Sequence, residues 1–183
     1  AIGYPFANTE FKIIDINTKK ETPLEEDGEL IISGPNIMLE YLDEPEETKN
    51  TLFQMDGKTW LHTGDIACVD KRGLFHYKSR LKRMIITSGY NVYPSHVEEI
   101  LTNHEAILKC AVIGIKNESK GEIVKAFIVL REGYNNLLTK SNIQKYMKEN
   151  LAKFEIPREI RYIDDLPTTL VGKIAYKELE KMD

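Results

Sequence analysis

Near Arg80 the patterning of the chain changes, and this break limits the possible folds more than any other feature. Before it, short β-branched or alternating runs are separated by turn signals. TEFKIIDI precedes the polar connection NTKKETPLEEDG, and GELIISG ends at Gly34-Pro35. TWLHTGDIACVD and GLFHYKSR flank Lys71-Arg72-Gly73, a hairpin-type junction. One helix is expected near PEETKNTLF, where Pro45 suits a first turn. This half reads as a small antiparallel sheet or partial barrel.

After the break, strands and helices interleave. Pro94-Ser95 opens a helical pattern with Ser95 and Glu98 at capping-box spacing and Val97, Ile100 and Leu101 on one face. LKCAVIGI and EIVKAFIVL are nearly continuous apolar strands. A helix carrying Ile143, Tyr146, Met147 and Leu151 is expected to be capped by Thr139 or Ser141. REIRYI reads as a third strand and KELEKM as a terminal helix. The second half is therefore α+β or α/β, and the best boundary lies near 80–83.

Composition narrows the function. The 183 residues are 42% hydrophobic and 30% charged, with net charge −4. A balance of this kind builds a real core and weighs against nucleic acid as the main partner. All of the acidic excess sits before the break, and the second half is mildly basic. No apolar run approaches the roughly 18–20 residues of a transmembrane segment. Cys68 and Cys110 form no metal-ligand pattern, and two free thiols point to a reducing, cytoplasmic setting. His62, His76, His96 and His104 lack metal-binding spacing, so no metal site is expected from these residues.

Three stretches carry candidate chemistry. Thr63-Gly64-Asp65 is either a plain turn or a strand end that holds a carboxylate toward a vicinal diol, two acceptor oxygens for two hydroxyls. Arg80, Lys82 and Arg83 are either a solvated charge run or part of a nucleotide-sugar clamp, since they lead into Met84-Ile85-Ile86 and the glycine turn at Gly89. Gly89 there allows a close backbone approach. In LPTTLVGKIAY, Lys173 follows Gly172 and is ordinarily just a solvated lysine on a turn.

Taken in order, GELIISGPNIMLEYLDEPEET, WLHTGD, SRLKRMIITSGYNVYPSHVEEI and PREIRYIDDLPTTLVGKIAY resemble the C-terminal portion of an AMP-forming acyl-CoA synthetase, within the adenylate-forming superfamily. The likeness covers essentially the whole chain and is nearest to fatty-acyl or general acyl-CoA ligases. It implies an α+β fold. Residues 1–81 would be the terminal β-rich subdomain of a large N-terminal domain, and residues 82–183 a small mobile α+β C-terminal cap. It also implies roles. Asp65 and Arg80 would serve the AMP ribose, Lys82 would be the hinge, and Gly89 would let the pantetheine arm of CoA pass. Lys173 would be the catalytic lysine of adenylation, its ammonium meeting charge that redistributes in the transition state. A second lysine found after the hinge in some members has no counterpart among Ile85, Ile86 and Thr87.

The family's phosphate loop, its adenine and Mg²⁺ segment and its acyl pocket have no counterpart in these residues. The chain also opens AIGYPFANTE, without a methionine. The resemblance thus leads to the expectation of a C-terminal piece of a protein roughly three times longer, inactive alone. The whole protein would use ATP, Mg²⁺, CoA and a carboxylic acid. Two alternatives stay open: an adenylation domain loading a carrier-protein thiol, and a non-catalytic nucleotide- or acyl-binding module.

Overall fold

The computed structural model describes residues 1–134 and 137–182. The chain divides into two compact units, Ala1–Lys82 and Arg83–Asp183.

The first unit is an antiparallel five-stranded sheet ordered β1-β2-β4-β3, with β5 also on β4. Its strands are β1 (Glu10–Ile14), β2 (Gly28–Ser33), β3 (Leu52–Met55), β4 (Lys58–Val69) and β5 (Phe75–Arg80), with helix α1 (Pro45–Thr51) between β2 and β3. Alternation sends Ile13, Leu30, Ala67 and Phe75 into one apolar cluster, and Ile14, Ile31 and Trp60 into another on the opposite face. The β4–β5 junction is held by Asp70, whose Oδ1 accepts the N–H groups of Arg72 and Leu74 at 2.9 and 3.0 Å.

The helix expected near PEETKNTLF is α1; it stops at Thr51, and Leu52 is already extended (φ −111°, ψ 137°). Leu52 and Phe53 pair instead with Leu61 and Trp60 in β4. The overlooked signal was Asp56-Gly57. Their φ values of 54° and 72° make a two-residue hairpin turn whose twist matches the flanking strands.

The second unit is a mixed sheet ordered β10-β9-β6-β7, with β8 on β9. Its strands are β6 (Ile85–Thr87), β7 (Tyr90–Val92), β8 (Ile107–Asn117), β9 (Gly121–Leu130) and β10 (Glu159–Tyr162). Helices α2 (Pro94–Thr102) and α3 (Leu137–Asn150) supply Val97, Leu101, Ile143 and Met147 to the cluster on one face. Short helix α4 (Tyr176–Glu180) supplies Leu179 to the cluster on the other. Apolar residues cover both sides of β8 and β9: Cys110 and Val112 point one way, Ala111 and Ile113 the other. That two-sided burial is why LKCAVIGI shows no polar alternation.

Both expected helix caps fail. Tyr93 is the N-cap of α2 and makes no side-chain cap bond; Pro94 at the first helical position sets the start. Glu98 turns into the unit and accepts the Val112 N–H at 2.9 Å. Thr139 and Ser141 lie inside α3. Thr139 is buried, in line at four-residue spacing with Ile143, Met147 and Leu151, so it extends the apolar stripe.

Candidate functional site

Asp65 sits neither on a turn nor at a strand end. It is inside β4, at a bulge where Thr63, Gly64 and Asp65 face only Leu30 between the pairs Glu29↔Ile66 and Ile31↔His62. Gly64 takes φ +68°, a left-handed backbone that glycine adopts at little cost. The bulge is tied down on all sides. Thr63 Oγ1 donates to Leu30 O at 2.6 Å and accepts the Asp65 N–H at 3.0 Å. The Gly64 N–H donates to Glu29 Oε1 at 3.3 Å. Glu29, only 3% exposed, also holds His62 Nδ1 at 2.9 Å through Oε2, with Phe53 stacked on the imidazole at 4.4 Å. Bulges re-aim side chains in this way beside functional sites.

Register then brings Arg80 of β5 opposite Asp65. Its Nη1 donates to Thr63 O at 3.0 Å, and its Nε lies 3.0 Å from Asp65 Oδ1. That N–H is not aimed at the oxygen. Asp65 Oδ1 is buried and accepts no hydrogen bond among the described residues, although it is ion-paired. Burial pushes the Asp65 carboxyl above its ordinary value, and the Arg80 charge pulls it partly back. The Asp65 side chain is still 24% exposed, so its carboxylate keeps acceptor capacity for the O–H groups of a bound diol.

Lys82 lies in a 3-10 turn, Leu81–Arg83, and is exposed. Gly89 and Lys173 occupy two separate loops of the second unit. Ser88 and Gly89, at φ 51° and 82°, form the two-residue turn between β6 and β7. A cleft of about 280 Å³ lies beside this turn, lined by Thr87, Ser88, Tyr90, Lys120, Lys153, Phe154 and Arg158. Tyr90 and Phe154 stack at 4.6 Å with their planes 9° apart. The three cations form no ion pair among the described residues. Sequence reading missed this group, since its members come from three distant segments and no short motif joins them.

Lys173 stands on a closed loop. Thr169 N–H donates to Lys173 O at 2.7 Å and Ala175 N–H to Pro167 O at 2.8 Å, with Gly172 at φ +77°. Leu170 and Val171 at its tip are exposed. The Lys173 ammonium is exposed and has no hydrogen bond or ion pair among the described residues, so it is available to an outside anion. Among the described residues no grouping of His, Cys, Asp or Glu fits a metal ion, so none of them is assigned to Mg²⁺. None of their helices is long and apolar enough to cross a membrane.

Matches to known proteins place the chain in the adenylate-forming class. The AMP-binding enzyme family matches residues 1–42, and the AMP-binding enzyme C-terminal domain matches residues 96–173. The chain belongs to the AMP-binding enzyme family, and its second half matches that family's C-terminal domain. It is 38% identical over 180 residues to a 3-[(3aS,4S,7aS)-7a-methyl-1,5-dioxo-octahydro-1H-inden-4-yl]propanoyl:CoA ligase of Mycobacterium tuberculosis, covering 98% of this chain and 32% of the relative. With a long-chain-fatty-acid–CoA ligase of Bacillus subtilis it shares 38% identity over 179 residues, 98% of this chain and 31% of that one. Among solved structures, ATP-bound MatB from Rhodopseudomonas palustris superimposes with a TM-score of 0.88 at 31% identity, covering all of this chain and 35% of that chain. The chain thus spans about a third of the length of the curated relatives it matches.

Proposed function

We propose that the protein to which this chain belongs is an ATP-dependent carboxylic acid–CoA ligase acting in the cytoplasm on fatty or other acyl substrates. A substrate carboxylate oxygen attacks the α-phosphorus, the bond to pyrophosphate breaks, and acyl-AMP forms. The CoA sulfur then attacks the acyl carbon and AMP leaves. The observation that carries this reading is the bulge at Thr63-Gly64-Asp65, which holds a partly exposed carboxylate across from Arg80. Asp65 and Arg80 take the ribose hydroxyls. Lys173 neutralises charge on the attacking carboxylate and the α-phosphate, which the partnerless state of its ammonium supports.

Lys82 is the hinge in this reading, and residues 82–183 are the mobile cap behind the terminal β-rich subdomain, 1–81. Gly89 admits the pantetheine arm. The neighbouring cleft, with a stacked aromatic pair and Lys120, Lys153 and Arg158, suits the phosphates and purine of CoA. Those cations favour CoA over a carrier-protein thiol. The 183 residues alone are inactive, since the phosphate loop, the acyl pocket and the Mg²⁺ ligands belong to the remaining two-thirds.

The test is a pair of half-reactions in the full-length protein. Lys173→Ala should slow acid-dependent pyrophosphate exchange by about 10²–10³, while thioester formation from synthetic acyl-AMP and CoA continues. Equal loss in both half-reactions, or in neither, would refute the assignment.

A further inference from the structure

One carboxylate oxygen of the second unit gathers donors from three separate segments. Glu98 Oε1 accepts from Arg83 Nη2 at 2.6 Å, from the Val112 N–H at 2.9 Å and from the Tyr176 hydroxyl at 3.2 Å. The Arg83 guanidinium also lies 3.7 Å over the Tyr176 ring. Only 16% of the Glu98 side chain is exposed, so these bonds are sheltered from competing water. Burial and the neighbouring Glu98 charge push the Tyr176 phenol up to about 12, and it stays a donor throughout the working pH range.

The positions of these residues give the cluster its meaning. Arg83 is the first residue of its unit, directly after Lys82. Val112 belongs to β8, in the sheet. Tyr176 opens α4, three residues beyond Lys173. The tip of the Lys173 loop is exposed at Leu170 and Val171, so its footing is fixed elsewhere, at Leu166 on one side and at Tyr176 and Leu179 on the other.

We propose that Glu98, Arg83 and Tyr176 are positioning residues, which lock the base of the Lys173 loop to the segment entering the unit and so set the direction of the ammonium. A rotation of the unit about Lys82 then carries Lys173 along as part of one rigid piece. The proposal rests on Lys173 being the adenylation lysine.

In the full-length protein, Tyr176→Phe keeps the ring under Arg83 and removes one donor. The expected result is a fall of about tenfold in the kcat of pyrophosphate exchange, an unchanged KM for ATP and an unchanged rate of thioester formation from acyl-AMP. In a Lys173→Ala background the same substitution should add nothing, because misdirecting an absent ammonium has no effect. Glu98→Gln, which weakens the Arg83 bond as well, should show the same pattern more strongly. Loss in both half-reactions, multiplication of the two effects, or no effect of Tyr176→Phe overturns the positioning role and leaves the assignment of Lys173 standing. If Lys173→Ala itself leaves adenylation intact, the functional reading fails first and this one with it.

Discussion

Replacing Glu29 by leucine should loosen the bulge that presents Asp65, and the size of the effect follows from the contacts. Glu29 is 3% exposed and supplies one oxygen to the Gly64 N–H and the other to His62. Lys19 Nζ lies farther out at 3.7 Å, with over half its side chain in solvent, and contributes little. Hydrogen bonds to a charged group contribute about 1.5–3 kcal/mol each, and removing one partner strands the other. Leucine regains apolar burial and spares the cost of desolvating a carboxylate, which offsets part of that loss. A net destabilisation of about 2–3 kcal/mol remains, a factor of roughly 30–150 in the unfolding equilibrium. Glu29→Gln, which keeps an acceptor for Gly64, should cost about 1 kcal/mol. The reporter is built in. Trp60 is the sole tryptophan, is 1% exposed and lies on β4 of the same unit, so its fluorescence in urea follows this unit alone. A Glu29→Leu curve within about 0.5 kcal/mol of the parent would refute the view that this carboxylate holds the bulge.

Two further outcomes concern the same sheet. Asp70 is held well below its ordinary value of 3.8, first by the Leu74 N–H and then by the side chains of His76 and Arg72. Its folded pKa is depressed, so the stability it confers is present above that ordinary value and drains away as pH falls below it. Acid titration of Trp60 fluorescence should therefore show Asp70→Asn less sensitive than the parent below about pH 4, and identical acid sensitivity would refute this. At Gly28, an added Cβ would stand 2.5 Å from Ile14 O, a backbone atom held by the β1–β2 ladder. Gly28→Ala should accordingly cost about 1–3 kcal/mol by the same urea assay, whereas a neutral result would mean that β1 shifts freely.

Local pattern alone went far. The change of pattern near Arg80, the longer strands of both halves but not the short β3 and β7, Pro45 and Pro94 as helix starts, and the order of four motifs could all be read from neighbouring residues. They rest on short-range rules: side-chain period, turn chemistry and the fixed φ of proline. The errors were local choices overridden by distant partners. Leu52 and Phe53 left α1 because β4 offered them a ladder. Glu98 left its capping position because Arg83, Val112 and Tyr176 converge on it from elsewhere. Thr139 joined the buried face of α3 in place of capping it.

The candidate site divides in the same way. Asp65, Arg80, Gly89 and Lys173 stood out because each lies in a recognisable stretch. That Asp65 sits on a bulge could not be read from Thr63-Gly64-Asp65, because a bulge is a mismatch of count between two strands and exists only once β2 lies against β4. The cleft of Lys120, Lys153, Phe154 and Arg158 and the oxygen of Glu98 shared by three donors are likewise invisible along the chain. Each joins groups that are far apart in sequence, and only the packing of the sheet against its helices and loops brings them within a few ångströms.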